Sequence, residues 1–331
     1  MAAELFGEKM SINVVFTGMY RNDSGITNLS LQERIKYIKS NNIDNIYWYT
    51  WKEQDQSKLQ NISDELREFG VRTIPISEPF PHVNRGIDGR QRQIYNIKTA
   101  LKDFDDRDIV LKLRWDIDFN EELVQNIQRK NFFDTVENGA IRNKIWTGFY
   151  SIQEMFSPCD TSFAGYVGDL DKIINFQFEI DDASSDNYVS HDGMMLMPYL
   201  ISKNKKVCNI IKQPTPNPSS LMFKMSHIEN KDHIYAWAYS YYLLHKYFKT
   251  GPLGTCYFKR GDMSRWPYSF VDYDRFLYNK KTVVGLEPNL GLYPRYRVYD
   301  DIFIDKVVKG QFNDLFAERI YNTISQENYE I

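Results

Sequence analysis

Strand-like and helix-like segments alternate regularly in the first 115 residues, and this alternation constrains the fold of the chain more than any other feature. Runs rich in β-branched and aromatic residues occupy 11–16, 43–51, 71–78 and 108–115. Between them, apolar residues recur at helical spacing in LSLQERIKYIKSN, SKLQNISDELREFG and QRQIYNIKTALKDF. Four strands separated by three helices are typical of a parallel sheet covered on both faces by crossover helices. We therefore predict an α/β fold with a mostly parallel central sheet.

The composition indicates a globular protein and excludes several classes of partner. Apolar residues make up 42% of the chain, which is enough for a core, and a net charge of −3 offers no overall field that attracts nucleic acid. Cys159, Cys208 and Cys256 fit neither a disulfide framework nor a zinc site. No stretch approaches the ~20 apolar residues needed to cross a bilayer. We expect a cytoplasmic protein with no nucleic-acid partner and at most peripheral membrane association.

The run LKLRWDIDFN, residues 111–120, places charged residues directly after the fourth strand. Ligands of parallel sheets bind beyond the carboxyl ends of the strands, and side chains two residues apart on a strand point the same way. Asp116 and Asp118 can therefore direct two carboxylates at one Mg²⁺ or Mn²⁺ ion, which would bridge a diphosphate. This D-x-D arrangement is typical of GT-A glycosyltransferases, and its alternative is a solvated strand end. Lys112 and Arg114 would contact the ligand or pair with the two acids.

Five segments of the chain resemble one protein family in order and spacing. They are VVFTG, IYWYTWKEQD, RQRQIYNIKTAL, VLKLRWDIDF and CDTSFAGYVGDLDKI, and they span roughly residues 12–200. These segments resemble the WavE-type lipopolysaccharide synthesis proteins, whose pattern includes K-x-R-x-D after a strand. The resemblance implies a GT-A-like fold, a nucleotide-sugar donor and a glycosyltransferase of surface polysaccharide assembly. It supports Asp116, which matches the one firm acid of that pattern, whereas Asp118 rests on the metal-binding argument alone.

The other strand ends carry further candidate donor-binding residues. Thr17 and Gly18 end the first strand, where they would meet a nucleotide base or ribose; the alternative is a tight turn that needs glycine. Trp51 ends the second strand and would either stack on a base or sugar or lie buried. Arg90 and Arg92 enter the helix after the third strand, where guanidinium groups near a helix N-terminus would meet a donor phosphate. The alternative for this pair is a solvated helix start.

A carboxylate is also needed to accept the proton of the attacking acceptor hydroxyl in an inverting transfer. We predict Asp192 as this general base, because it follows an acidic loop and precedes an apolar segment. His191 would orient that base or ligate the metal late in the reaction. The alternative for Asp192 is a helix N-cap, and Asp160 and Asp169 are the other candidates for the base.

No internal repeat or low-complexity linker divides the chain. We predict one GT-A-like domain over 1–331, in which residues 10–130 form the nucleotide-sugar-binding half. Residues 131–290 would form the acceptor and catalytic half, and 291–331 the closing helices.

The predicted function is an inverting, metal-dependent glycosyltransferase that moves a sugar from a nucleotide-sugar donor onto a capsule or lipopolysaccharide glycan. The acceptor would be a glycan or a lipid-linked glycan, and the enzyme would act in the cytoplasm or at the inner face of the inner membrane. One alternative is a metal-dependent nucleotidyl or phosphoryl transferase, which is disfavoured because no G-x-G-x-x-G or G-x-x-x-x-G-K-[ST] phosphate loop is present. The other alternative is a non-catalytic glycan-binding subunit.

Overall fold

The computed structural model describes most of the N-terminal half and several blocks of the remainder. The described residues are 10–18, 31–79, 85–114, 121–129, 131–148, 150–151, 156, 158, 162–175, 193–211, 231–250, 298–299, 301–311, 315–327 and 329. Within these ranges, no helix combines the length and apolar character needed to cross a membrane.

Nine strands lie in the described residues, and seven of them form the central sheet in the order β3-β2-β1-β4-β7-β5-β8. The strands are β1 (Ile12–Thr17), β2 (Asn45–Trp51), β3 (Val71–Ile76), β4 (Ile109–Leu113), β5 (Ile145–Thr147), β6 (Tyr150–Ser151), β7 (Phe163–Tyr166), β8 (Phe248–Lys249) and β9 (Val298–Tyr299). The pairs β1–β2, β2–β3, β1–β4 and β5–β8 are parallel, while β7 runs antiparallel to both β4 and β5. Strands β6 and β9 form a separate antiparallel pair.

The described helices lie between and after these strands. They are α1 (Leu31–Ser40), α2 (Gln56–Glu68), α3 (Arg85–Leu101), α4 (Glu121–Asn126), α5 (Val167–Ile174), α6 (Gly193–Leu196), α7 (Pro198–Ile201), α8 (Lys205–Ile211), α9 (Lys231–Tyr247), α10 (Asp301–Val308) and α11 (Leu315–Gln326).

Helices cover both faces of the sheet, as predicted. The buried residues of α1 and α2 form one core cluster with Val14 and Phe16 of β1. The buried residues of α3, α5 and α9 form a second cluster with Val15, which lies between Val14 and Phe16 in β1. Because successive side chains of a strand point to opposite faces, the two clusters lie on opposite sides of β1.

The predicted α/β fold with a mostly parallel sheet is confirmed, and β1 to β4 lie where the four apolar runs predicted them. One boundary differs, because α3 begins at Arg85 rather than near residue 91. Gly86 and Gly89 weaken the helical pattern before residue 90, at a propensity cost of about 1 kcal/mol per glycine, yet the helix includes them. The GT-A-like topology in the narrow sense, and the division into 10–130, 131–290 and 291–331, stay predictions.

Candidate functional site

The strand order reverses between β1 and β4, which creates a crevice at the carboxyl edge of the sheet. Chain order runs β1, β2, β3 to one side of β1, and β4 lies on its other side. Phe16 pairs with Leu113, so Thr17 and Gly18 end beside Arg114. We call these four residues, Thr17, Gly18, Leu113 and Arg114, the β1–β4 edge. Ligands of open α/β sheets bind outside the strands at such a reversal, which makes this edge the candidate binding site.

Gly18 forms a turn that is held on both sides and open above. The N–H of Gly18 donates to the Tyr49 carbonyl at 3.1 Å, and the carbonyl of Gly18 accepts a hydrogen bond from the Trp48 indole Nε1 at 2.8 Å. The φ angle of Gly18 is +90°, a conformation that favours glycine. A Cβ atom built at this position would have no heavy atom within 4 Å. The tight turn that was the alternative for Gly18 is therefore present, and it leaves room for a ligand beside the backbone.

Thr17 presents a polar atom beside this room. Its side chain is buried, and among the described residues its Oγ1 has no hydrogen-bond partner. Thr17 points to the same face of β1 as Val15, which is the face covered by α3. An unpaired buried hydroxyl costs about 1–3 kcal/mol, so Thr17 favours a bound polar group at this point.

Lys112 lies fully buried just below the β1–β4 edge. Its Nζ donates to Oε1 of Gln93 on α3 at 3.2 Å and lies 5.7 Å from the centroid of the Phe163 ring. We predicted that Lys112 would contact a ligand or pair with the acids that follow β4. The hydrogen bond to Gln93 shows that Lys112 also ties β4 to α3 beneath the edge. Arg114, one residue beyond the strand, is half-buried.

Arg92 lies near the carboxyl end of β3 and is held there by a carboxylate. Its Nε forms an ion pair with Oε1 of Glu78, and the backbone N–H of Glu78 donates to Oε2 of Glu53 at 3.0 Å. Because α3 begins at Arg85, Arg92 lies about two turns inside the helix. Helix N-terminal N–H groups therefore do not accompany Arg92, and Arg90 is likewise inside the helix. The expectation that Arg90 and Arg92 lie at a helix N-terminus is therefore wrong, because the helix begins at Arg85.

Trp51 lies in the core beneath the site. Only 5% of its surface is exposed, and its ring stacks on Tyr95 of α3 with centroids 6.3 Å apart and planes 26° apart. Of the two roles predicted for Trp51, the structure supports burial in the core. A ring with so little exposed surface supports the end of β2 but offers almost no face to a base or sugar.

Asp169 lies at the other end of the sheet. Tyr166, which ends β7, pairs with Ile109 at the start of β4, so α5 begins at the edge opposite Arg114. The buried Asp169 carboxylate accepts hydrogen bonds from the backbone N–H groups of Arg142 and Asn143 at 2.8 and 3.0 Å. The Asn143 side chain donates a third at 3.0 Å. Asp169 therefore holds the loop before β5 in place. This structural role, and not that of a general base, is the one that its contacts support.

Several predicted site residues lie outside the part of the chain that the structure describes, and for one of them only the backbone is described. These are Arg90 (side chain), Asp116, Asp118, Asp160, His191 and Asp192. Helix α6 begins at Gly193, directly after Asp192, and packs against α3 and α5. Among the residues that the structure describes, no group of three or more His, Cys, Asp or Glu side chains is arranged to hold a metal ion.

Two contacts at the site were not anticipated from the sequence. Glu78 ends the predicted third strand, and a carboxylate at a strand end is itself a signal for a charged partner. Gln93 lies in the predicted helix QRQIYNIKTALKDF, and nothing in that run indicates a partner on β4. Both contacts depend on which positions of α3 face the sheet, and packing rather than local sequence determines this.

The comparisons with known proteins do not assign a family. No family model matches the chain, and no curated protein matches it. The resemblance to WavE-type proteins therefore stays a hypothesis.

Three solved structures show weak similarity to about half of the chain. A protein described as a glucose-1-phosphate thymidylyltransferase from Bacillus anthracis, in complex with sucrose, has 10% identity over 51% of this chain and 76% of its own, with a TM-score of 0.33. A 4-diphosphocytidyl-2C-methyl-D-erythritol synthase from Anaerococcus prevotii has 14% identity over 52% and 80%, with a TM-score of 0.30. A glycosyltransferase involved in glycosylation of the major capsid of PBCV-1 has 10% identity over 52% and 68%, with a TM-score of 0.26. Scores this low assign neither a fold family nor an activity to this chain.

Proposed function

We propose that this chain is a glycosyltransferase whose nucleotide-sugar donor binds at the β1–β4 edge. The observation that carries the proposal is the reversal of strand order at β1 and β4. It brings Thr17 and Gly18 beside Arg114, the residue from which the R-x-D-x-D run continues. The site of ligand binding expected from topology and the most chemistry-bearing segment of the sequence therefore coincide.

The residues at this edge suit an anionic, sugar-bearing nucleotide. Thr17 offers an unpaired hydroxyl and Gly18 leaves open space, which suits a base or ribose. Arg114 would meet the diphosphate, since a guanidinium matches phosphate oxygens in geometry and charge. The buried Lys112 places its amino group, held by Gln93, below the same strand end. Arg92, although paired with Glu78, lies at the same carboxyl end of the sheet, beside the end of β3.

The acids that follow β4 have the chemistry of a divalent-cation site. Carboxylate oxygens are the ligands preferred by Mg²⁺ and Mn²⁺, and Asp116 and Asp118 follow a strand end where phosphates are expected. These two residues would hold the ion, which when bound supplies positive charge to the departing nucleoside diphosphate. Asp192 would accept the proton of the acceptor hydroxyl, with His191 orienting it. Gly193, the residue after Asp192, begins α6, and α6 packs on α3, the helix that covers the Thr17 face of β1; this packing supports the proposed role.

Analysis of the released nucleotide tests the reaction class. The protein would be incubated with UDP-, GDP-, CMP- and dTDP-linked sugars and Mn²⁺, with and without pyrophosphate. A glycosyltransferase releases a nucleoside diphosphate, or CMP from a CMP-sugar, whether the acceptor is a glycan or water. A pyrophosphate-dependent appearance of nucleoside triphosphate and sugar phosphate would instead establish the nucleotidyltransferase alternative. Neither binding nor turnover of any nucleotide-sugar would favour the non-catalytic glycan-binding subunit.

A further inference from the structure

Four exposed lysines cluster on the side of the molecule formed by α5, α7 and α8. They are Lys172 on α5, Lys203 after α7, and Lys205 and Lys206 in the first turn of α8. Helix α5 packs on α7, and α8 packs on α9. We call these four residues the lysine patch.

Aromatic rings contact three of the four ammonium groups. The Nζ atoms of Lys203 and Lys172 lie 4.4 and 5.8 Å from the centroid of the same ring, that of Tyr199. The Nζ of Lys206 lies 3.6 Å from the centroid of the Tyr235 ring. Two ammonium groups therefore share one ring although like charges repel, in a chain whose net charge is −3.

In the part of the chain that the structure describes, none of the four lysines forms an ion pair. Lysines elsewhere do so, as in Lys249 with Asp134 at 3.2 Å. Lys205 and Lys206 also lie at a helix N-terminus with no acidic residue in the first turn. Cations are unfavourable at that end of a helix, so local helix stability does not account for them.

We propose that the lysine patch is a docking surface for an anionic phospholipid membrane. Lysine is a strongly hydrated point charge on a flexible stem, which suits a diffuse layer of phosphate headgroups, whereas arginine suits individual phosphates. No arginine occurs between residues 167 and 211. The segment that carries the patch thus lacks the residue type of a specific phosphate pocket, and four lysines form a basic cluster at the lower end of the size that binds acidic lipids. This surface is distinct from the β1–β4 edge, and its role does not depend on the proposed transferase activity.

Vesicle sedimentation tests the proposal without nucleotide or acceptor. The full chain would be mixed with vesicles of phosphatidylcholine alone or of phosphatidylcholine and phosphatidylglycerol. We expect binding only to the second kind, with a strong decrease on addition of NaCl. Replacing Lys203 and Lys206 by Gln should weaken binding about 30-fold, since each lysine near an acidic surface contributes about fivefold. Lys205→Gln, which disturbs no ring contact, should weaken vesicle binding about fivefold.

Lys36 and Lys58 provide a matched control. Both are exposed, Lys36 lies 6.0 Å from the centroid of the Phe69 ring, and both belong to the helices on the other face of the sheet. Lys36→Gln with Lys58→Gln changes the net charge equally and should leave binding intact. Three results would overturn the proposal: no binding to acidic vesicles at low salt, an equal loss in the control variant, or binding to phosphatidylcholine alone. Displacement by inorganic phosphate beyond that caused by NaCl of equal ionic strength would assign a phosphate site instead of a membrane surface.

Discussion

Thr17 and Tyr329 carry buried hydroxyl groups for which the described residues offer no hydrogen-bond partner. The two hydroxyls differ in their surroundings. Thr17 lies at the β1–β4 edge beside the open space of Gly18, whereas the Tyr329 ring lies among other aromatic rings. The same unfavourable feature therefore indicates a ligand in one place and simple packing in the other.

Replacing Thr17 by Val should separate ligand binding from stability. Removing an unpaired hydroxyl should leave the free energy of unfolding unchanged or raise it by about 1 kcal/mol in the absence of ligand. Stabilisation by the donor nucleotide should decrease. Urea unfolding with and without nucleotide measures both quantities. Thr73→Val is the control, since Thr73 also has an unpaired Oγ1 but lies within β3; a decreased nucleotide effect in that variant too would contradict the role of Thr17.

The ring and the hydroxyl of Tyr329 should contribute in opposite ways. Its ring centroid lies 5.7, 5.2 and 5.1 Å from those of Tyr235, Tyr239 and Tyr242, and its hydroxyl is unpaired. Tyr329→Phe should keep or slightly raise the free energy of unfolding, whereas Tyr329→Ala should lower it by about 3–5 kcal/mol. Chemical denaturation distinguishes these results. A marked loss in Tyr329→Phe would show that the hydroxyl has a partner.

At the scale of elements, α5 and the loop before β5 are joined through one carboxylate. Asp169→Asn should lower the free energy of unfolding by about 2–3 kcal/mol, because an amide replaces a charged acceptor of three hydrogen bonds. Donor binding should not change, since Asp169 lies at the opposite edge of the sheet. Asp171→Asn on the same helix is the control and should cost about 0.5 kcal/mol or less. Loss of donor binding in Asp169→Asn at full stability would restore Asp169 to the site.

The contact between α9 and α10 should make stability depend on pH. His245 Nε2 lies 3.2 Å from Oδ1 of Asp305. Two lysines lie nearby: Lys309, which pairs with Asp305, and Lys144, whose Nζ donates to the backbone carbonyl of His245. Burial lowers the pKa of His245, and the hydrogen bond with Asp305 opposes this only in part. The unfolded chain therefore binds the proton more readily than the folded protein.

The resulting stability is fully present above the unfolded pKa of about 6.5 and is lost as the pH falls through the lower folded pKa. We expect the free energy of unfolding to fall between about pH 7.5 and about pH 5.5, and His245→Gln to reduce that fall. Urea titrations at the two pH values measure it. An identical pH dependence in His245→Gln would show that other groups cause the change.

For the whole molecule, local patterns predicted the part of the fold that they themselves stabilise. Strands β1 to β4 and helices α1 and α2 each carry their own periodicity and were found close to their predicted bounds. Strands β7 and β8, of four and two residues, are too short for such a pattern. Their places in the sheet depend on partners far along the chain, such as β4 for β7. The antiparallel direction of β7 was therefore not predictable, and with it the remote position of Asp169.

The candidate site was predictable to the extent that it consists of strand ends. Thr17, Gly18 and Arg114 end strands with clear patterns, and the strand order brings them together. Trp51 could not be placed, because a tryptophan at a strand end suits either the core or a ligand. The pairs Lys112–Gln93 and Arg92–Glu78 depend on which positions of α3 face the sheet. That information lies in packing and not in the local sequence.

The measurement that tests the central claim most directly is the thermal stability of three proteins with nucleotide-sugars, with and without Mn²⁺. They are the wild type, Asp116→Asn, and Asp44→Asn, which removes an exposed carboxylate at the opposite edge of the sheet, next to the start of β2. We expect one class of nucleotide-sugar to raise the melting temperature of the wild type and of Asp44→Asn, and only with Mn²⁺. Asp116→Asn should show no such rise. No rise in the wild type with any donor, or an equal rise in Asp116→Asn, would contradict a metal-dependent donor site at the β1–β4 edge.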